Sequence, residues 1–406
     1  MQLIKQFFVL FLRLMLWLGA LLFVTSLAMA RDEASKSLPD FSMNETLSFS
    51  GRPLYETDLK QWGSLNVRGV ATGLFLNQTN PTAGNDFSYT NFTNAQLIIQ
   101  NNEGPIRVFA QTGLYDVPVL GIPFTRTRDN TENSYGYLPQ AYISIVPDNH
   151  WSLMIGKLPA IGGAEPTFTY QNSNIQRGLL WAQTNSVSRG VQLNFADGPI
   201  SASLSLNDGA YSNVYNWIGG VVGFKATEKS TYMMSWTGSL SPNASNSYVT
   251  PLLQNNSQIS NLIYRYSGDY WTLMPYLQYT YIPQRPTVGI NGSSGTVGSA
   301  MLATYHITPL TDGVAPARHL SIATRVEYES SYGNSLANVA PNGVMYGPGS
   351  SAWSISITPT LQIDNFFART EFAYVKALNM QSGSGFGSTG SINNQARVVI
   401  EIGLLY

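Results

Sequence analysis

The chain ends in "ARVVIEIGLLY", and its last ten residues alternate with a period of two. One set of alternate positions is Val398, Ile400, Ile402, Leu404 and Tyr406; the other is Arg397, Val399, Glu401, Gly403 and Leu405. Successive side chains of a strand point to opposite faces, so this is a strand between two unlike surroundings. The pattern recurs. Phe366, Ala368, Thr370, Phe372 and Tyr374 oppose Arg369 and Glu371. Leu320, Ile322, Val326 and Tyr328 oppose Arg325, Glu327 and Glu329. Trp353, Ile355, Ile357, Leu361 and Ile363 oppose Ser354, Ser356, Thr358, Thr360 and Gln362. In a soluble sandwich the apolar faces would meet in a core. In a membrane barrel they would face lipid, and the charges would face a wet lumen. An arginine turned to mid-bilayer costs about 2–4 kcal/mol, which fixes each strand's orientation.

The connections decide between the two. Strands are expected near 64–77, 93–102, 105–115, 137–146, 150–158, 188–196, 199–207, 215–226, 230–239, 257–267, 270–282, 297–308, 318–330, 351–363, 366–377 and 395–405, about sixteen in all. Short turns at 102–104, 148–150, 196–198, 227–230, 267–270 and 364–365 alternate with long Asn/Ser/Gly-rich stretches at 78–92, 116–136, 159–187, 240–256, 283–296, 331–350 and 378–394. The exceptions are a longer connection near 309–318 on the short side and a brief one near 208–214 on the long side. Tight turns gathered at one end, opposite long loops, are the mark of an outer-membrane barrel with periplasmic turns and external loops. The fold class is therefore all-β, an antiparallel transmembrane β-barrel of about 16 strands, with both termini in the periplasm and the last strand closing on the first to remove both edges.

Composition agrees. Only 11% of residues are charged, yet the mean hydropathy of −0.05 is far from that of a helical membrane protein. The polar share is carried by Asn, Ser, Thr, Gln, Gly and Tyr, which suits strands with one neutral-polar face. A formal net charge of −1 gives no field for nucleic acid, and the absence of cysteine excludes disulfides and thiolate metal sites. Residues 1–30 carry Lys5 and Arg13, an apolar run from Leu14, and Ala28-Met29-Ala30, the layout of a secretory signal peptide cleaved after Ala30. No later run is long and apolar enough for a spanning helix, so an exported chain that crosses a membrane must do so as strands. The division is 1–30 signal peptide, 31–61 periplasmic lead-in without clear period, and 62–406 barrel.

Between 155 and 221 the motifs "IGKLPAIGG", "NSNIQRGLLW", "SRGVQ", "LNDGAYSN" and "YNW", with the distal "RTEFAYV" and terminal "EIGLLY", resemble the β-barrel porin-2 (OmpL-like) family of Gram-negative outer-membrane proteins. The resemblance implies a porin-like channel and supplies no catalytic residues. The ending on the aromatic Tyr406 also resembles the C-terminal signal read by the barrel-assembly machinery.

A passive channel for small hydrophilic solutes is the leading reading, and selectivity would then lie in the narrowest section. A structural or surface-interaction barrel (adhesin or receptor), its lumen blocked by loops or by the N-terminal segment, is the alternative. Loop 116–136 begins "DVPVLGIPF", too apolar for an exposed loop, so it is expected to fold inward and bring Arg126, Arg128, Asp129 and Glu132 near the lumen; solvated charges on an external loop are the competing reading. Loop 159–187, with Glu165 and Arg177, is a rival constriction. Wall candidates are Arg68, Arg107, Lys225, Arg265, Arg325, Arg369 and Arg397 with Glu327, Glu371 and Glu401, each equally readable as a cross-strand ion pair. His150, His306 and His319 stand in no metal-binding spacing and are expected at turns or on the surface. No phosphate-loop lysine follows the glycine runs, so neither metal nor cofactor is implied. The expected surroundings are outer-membrane lipid and lipopolysaccharide, with a homo-oligomer left open.

Overall fold

The computed structural model describes residues 46–49, 51–311, 313–333 and 346–406. The expected signal peptide, the lead-in up to residue 45 and most of loop 331–350 lie outside the described residues.

Among the described residues, seventeen strands form one sheet. A four-residue strand, β1 (Tyr55–Asp58), precedes the barrel strands β2 (Ser64–Gln78), β3 (Ser88–Asn101), β4 (Ile106–Tyr115), β5 (Gln140–Ile145), β6 (Trp151–Pro159), β7 (Val187–Asp197), β8 (Ile200–Asn207) and β9 (Trp217–Thr227). The circuit continues with β10 (Ser230–Ser239), β11 (Gln258–Ser267), β12 (Trp271–Ile282), β13 (Ser294–His306), β14 (Arg318–Gly333), β15 (Ser351–Ile363), β16 (Phe366–Leu378) and β17 (Asn394–Leu405). From β2 to β17 every strand pairs antiparallel with its neighbour in sequence, and β17 returns to β2 in the register Arg397↔Gln78 to Leu405↔Val70. The result is a closed antiparallel barrel of sixteen strands.

The seam is covered by Tyr406 and by β1. Where β17 runs out, the Tyr406 N–H donates to the Gly69 carbonyl and the Gly69 N–H to the Tyr406 carbonyl, both at 2.9 Å. Beyond that point β1 takes over the free edge of β2, with Tyr55↔Val67 through Asp58↔Ser64. "YETD" is too short to show a period, and the sequence reading placed no strand there.

The faces sort as alternation requires. On β15 Trp353, Ile355, Ile357, Leu361 and Ile363 are exposed, whereas Ser354, Ser356, Thr358, Thr360 and Gln362 are fully buried. Aromatic pairs mark the two rims. Trp151 lies 4.7 Å from Phe195 and Trp271 4.8 Å from Tyr305 at the short-turn end; Trp353 lies 5.3 Å from Tyr374 at the loop end. At the tight 364–365 turn Asp364 takes a φ of 51°, the left-handed conformation such hairpins need.

Strand length divides the wall. β5 to β9 have 6 to 11 residues, but β12 to β17 have 12 to 16. Loop 160–186 rises from the low wall and is received by the tall one. Placing an arginine at Ile357, outward on β15, should destabilise the barrel by about 2–4 kcal/mol in lipid-vesicle unfolding; an unchanged midpoint would mean that this face does not meet hydrocarbon.

Candidate functional site: a loop clamped across the lumen

Loop 160–186 leaves β6 and enters the barrel carrying little repetitive structure of its own, only the single 3-10 turns Thr169–Gln171 and Trp181–Gln183. Its backbone polar groups need partners once out of water, and the opposite wall supplies them as acidic and basic side chains. Glu371 accepts the Ile175 N–H at 2.6 Å, the Gln176 N–H at 3.2 Å and the Gln176 amide at 2.8 Å. Glu327 accepts the Leu179 N–H at 3.0 Å and the Ser354 hydroxyl at 2.8 Å. Arg369 donates to the carbonyls of Asn172 (2.7 Å) and Thr169 (2.8 Å). Arg325 donates to the Gln176 carbonyl at 2.7 Å.

The clamps are themselves ion-paired. Arg325 lies 2.7 Å from Glu165 of the loop and 3.2 Å from Glu327 on its own strand; Arg369 lies 2.5 Å from Glu401, which also accepts the Thr169 hydroxyl at 2.7 Å. No side chain among these four wall residues and Glu165 exceeds 2% exposure. These charges therefore hold the loop instead of lining an open water column. Gly178 shows how closely it sits, since a Cβ there would collide with the Glu327 carboxylate.

A second inward segment docks on the first. The Arg177 N–H donates to the Pro118 carbonyl and the Leu120 N–H to the Arg177 carbonyl, each at 2.9 Å. Arg397 donates to the carbonyls of Val119 (2.8 Å) and Ile122 (2.5 Å). Leu120, Leu179 and Leu180 then pack among inward apolar residues such as Met274, Leu302 and Val375. A third segment, Thr46–Phe49, enters from the short-turn end. Gln362 grips Ser48 at both backbone groups (3.0 and 2.6 Å), Thr46 donates to Ser173 at 2.7 Å, and Phe49 meets Tyr170 edge-on at 6.3 Å.

The sequence candidates divide on this geometry. Arg325, Glu327, Arg369, Glu371, Arg397 and Glu401 converge on the loop, as do Glu165 and Arg177. The apolar start of loop 116–136 does fold inward, with Val119, Leu120 and Phe124 buried. The charges behind it do not follow. Arg126 and Arg128 are 68% and 79% exposed, Arg128 pairs with Glu132 at 3.1 Å, and Asp129 is exposed. All four flank or sit on a short helix, Thr127–Asn133, whose buried residues are Thr127, Asn130 and Thr131; its polar face turns to water. Arg68 stands at the short-turn mouth over the Phe49 ring at 5.2 Å, and half-buried Arg107 bonds the Gly104 carbonyl of the adjacent turn at 3.4 Å. The histidine expectation holds only for His150. His306 and His319 are buried on the inner wall, 3.2 Å apart, with Thr272 at 3.0 Å from His306.

Asp116, at the root of the second segment, is 2% exposed, and one carboxylate oxygen meets no donor among the described residues. Burial pushes its pKa up to about 8, against the Val117 N–H bond and the Arg177 charge that pull it down. The folded state thus holds this proton more tightly than the unfolded chain. Stability should fall as pH rises from about 4 to about 8, and Asp116→Asn should flatten that slope in unfolding titrations. Removing one member of the Arg369–Glu401 pair by Arg369→Ala should cost about 3–5 kcal/mol in guanidine unfolding, and Arg369→Met with Glu401→Leu should recover most of it.

Among solved structures the chain is similar to the anion-selective porin from Comamonas acidovorans (TM-score 0.57, 11% identity, 84% of this chain and 99% of that one). It is similar also to the outer membrane channel DcaP of Acinetobacter baumannii (0.53, 11%, 84% and 97%) and to Salmonella typhi OmpF (0.54, 12%, 87% and 100%). These likenesses concern the fold. A comparison with curated proteins finds no match. The family described as "Putative beta-barrel porin-2, OmpL-like" matches residues 64–406, the whole of the barrel. The chain belongs to this family and is a porin-like channel protein of the bacterial outer membrane.

Proposed function

We propose that the barrel passes small hydrophilic solutes down their concentration gradient, with the clamped loop 160–186 setting the narrowest section. The observation that carries this is the clamp itself: Arg325, Glu327, Arg369 and Glu371 bind the loop backbone and fix it across a closed sixteen-strand barrel. Arg126, Arg128, Asp129 and Glu132 act at most on the approach to it, and Arg68 and Arg107 at the far mouth. Residues 1–30 are a cleaved leader, 31–61 a lead-in of which residues 46–49 lie in the lumen, and 62–406 the channel. Tyr406 is the residue read by the assembly machinery. No catalysis is assigned: the family and its fold neighbours are channels, and the Thr272–His306–His319 chain is sealed in the wall, out of reach of a substrate.

The second reading, a structural or surface-interaction barrel, draws on the packing of three segments within one lumen. Planar-bilayer recording separates the two. The channel reading expects small discrete steps from the mature protein. It also expects larger or more frequent steps from Gln362→Ala, which frees Ser48, and from Gly178→Leu, which drives the loop off Glu327. Silence from all three proteins, each folded by heat-modifiable gel mobility, would leave the structural reading standing.

A further inference from the structure

Outside the lumen, a cleft of about 460 Å³ opens at the loop end of β10 to β12. Its apolar lining includes Trp236, Leu240, Pro242 and Pro283, and its polar lining includes Gln258 and Arg285. Trp236 continues the outward row of Tyr232 and Met234 on β10, all exposed, and Leu240 just beyond is 61% exposed. The cleft therefore straddles the level where hydrocarbon gives way to headgroups, the usual depth of outward tryptophans.

Arg285 is held there by a rigid turn. Its N–H donates to the Ile290 carbonyl at 2.8 Å and Ile290 returns the bond at 3.1 Å, with Ile290 buried against Leu253 and Ile282. The guanidinium is aimed by Ser239, whose carbonyl and hydroxyl each accept from Nη2 at 3.0 Å. Its Nε meets no acceptor among the described residues. Neither of the two connections that build the cleft supplies a counter-charge: residues 240–257 contain no Asp, Glu, Lys or Arg, and residues 283–293 contain Arg285 alone. Nη2 is committed to Ser239 and Nε is buried, so the Nη1 edge is the one left open; a guanidinium held this way, beside an apolar wall at headgroup depth, fits a charge-assisted contact to a phosphate whose acyl chains run down the wall.

We propose that this cleft binds the phosphorylated headgroup of an outer-leaflet lipid, Arg285 taking the phosphate and Trp236 with Leu240 the first segments of the acyl chains. The proposal rests on the barrel's orientation, loops outward, but not on conduction, because the cleft lies outside the lumen.

Native mass spectrometry of the mature protein with rough lipopolysaccharide, and with the same lipid enzymatically dephosphorylated, tests it. The phosphorylated form should be retained about ten-fold more strongly, the worth of one charge-assisted contact. Arg285→Gln should abolish that preference while Trp236→Ala weakens retention of both forms, and millimolar inorganic phosphate should not displace the lipid. Equal retention of the two lipids by the unaltered protein would overturn the proposal without recourse to any variant. So would an unchanged preference in Arg285→Gln, and displacement by inorganic phosphate would reassign the cleft to soluble anions. Bilayer conductance of Arg285→Gln should match that of the parent, so loss of lipid retention with steps intact separates this site from the channel reading.

Discussion

Hydrocarbon offers no hydrogen bond, and the rest of the structure follows from that. A backbone that crosses it as strands must satisfy every N–H and C=O within the sheet, so the sheet has to close. Closure of β17 onto β2 fixes the register, and register fixes which alternate residues face lipid. Because Arg325, Glu327, Arg369, Glu371, Arg397 and Glu401 cannot occupy the outer face, they are all forced onto the inner wall of β14, β16 and β17, concentrated on one side.

Concentrated charge in a confined space must be solvated or paired. Here the pairing partner is the backbone of loop 160–186, which has unsatisfied groups of its own. Each solves the other's problem: carboxylates take orphan N–H groups at Ile175, Gln176 and Leu179, and guanidinia take carbonyls at Thr169, Asn172 and Gln176. Buried ion pairs of this kind contribute little net stability but penalise misplacement heavily. They therefore fix the position of the loop more than they strengthen the barrel.

Much of this was legible in the sequence, and what was not has a physical reason. Alternation over Trp353–Ile363 and Phe366–Tyr374 identified face and span, since lipid enforces a strict period of two. The start of β3 at Ser88, ahead of the expected 93, escaped because "SYTNF" rises above the membrane, where nothing enforces the period. The apolar run at 117–122 correctly announced an inward segment, but hydrophobicity could not say that the charges following it would turn back to water on a helical face. Loop 160–186, with Glu165 and Arg177, stood only as a rival to loop 116–136, because the partners that seat it stand up to 232 residues away and no local pattern records them. The buried His306 and His319 were misplaced for a similar reason: next to a turn, one inward polar position looks like any surface one.

The lumenal segment Thr46–Phe49 is tethered by β1, which begins only six residues beyond Phe49. A chain that short reaches at most about 20 Å when fully extended. Once dislodged, the segment cannot diffuse away; it stays near the mouth at a local concentration on the order of millimolar. It thus behaves as a ligand permanently attached to its own binding site, one that returns without a search.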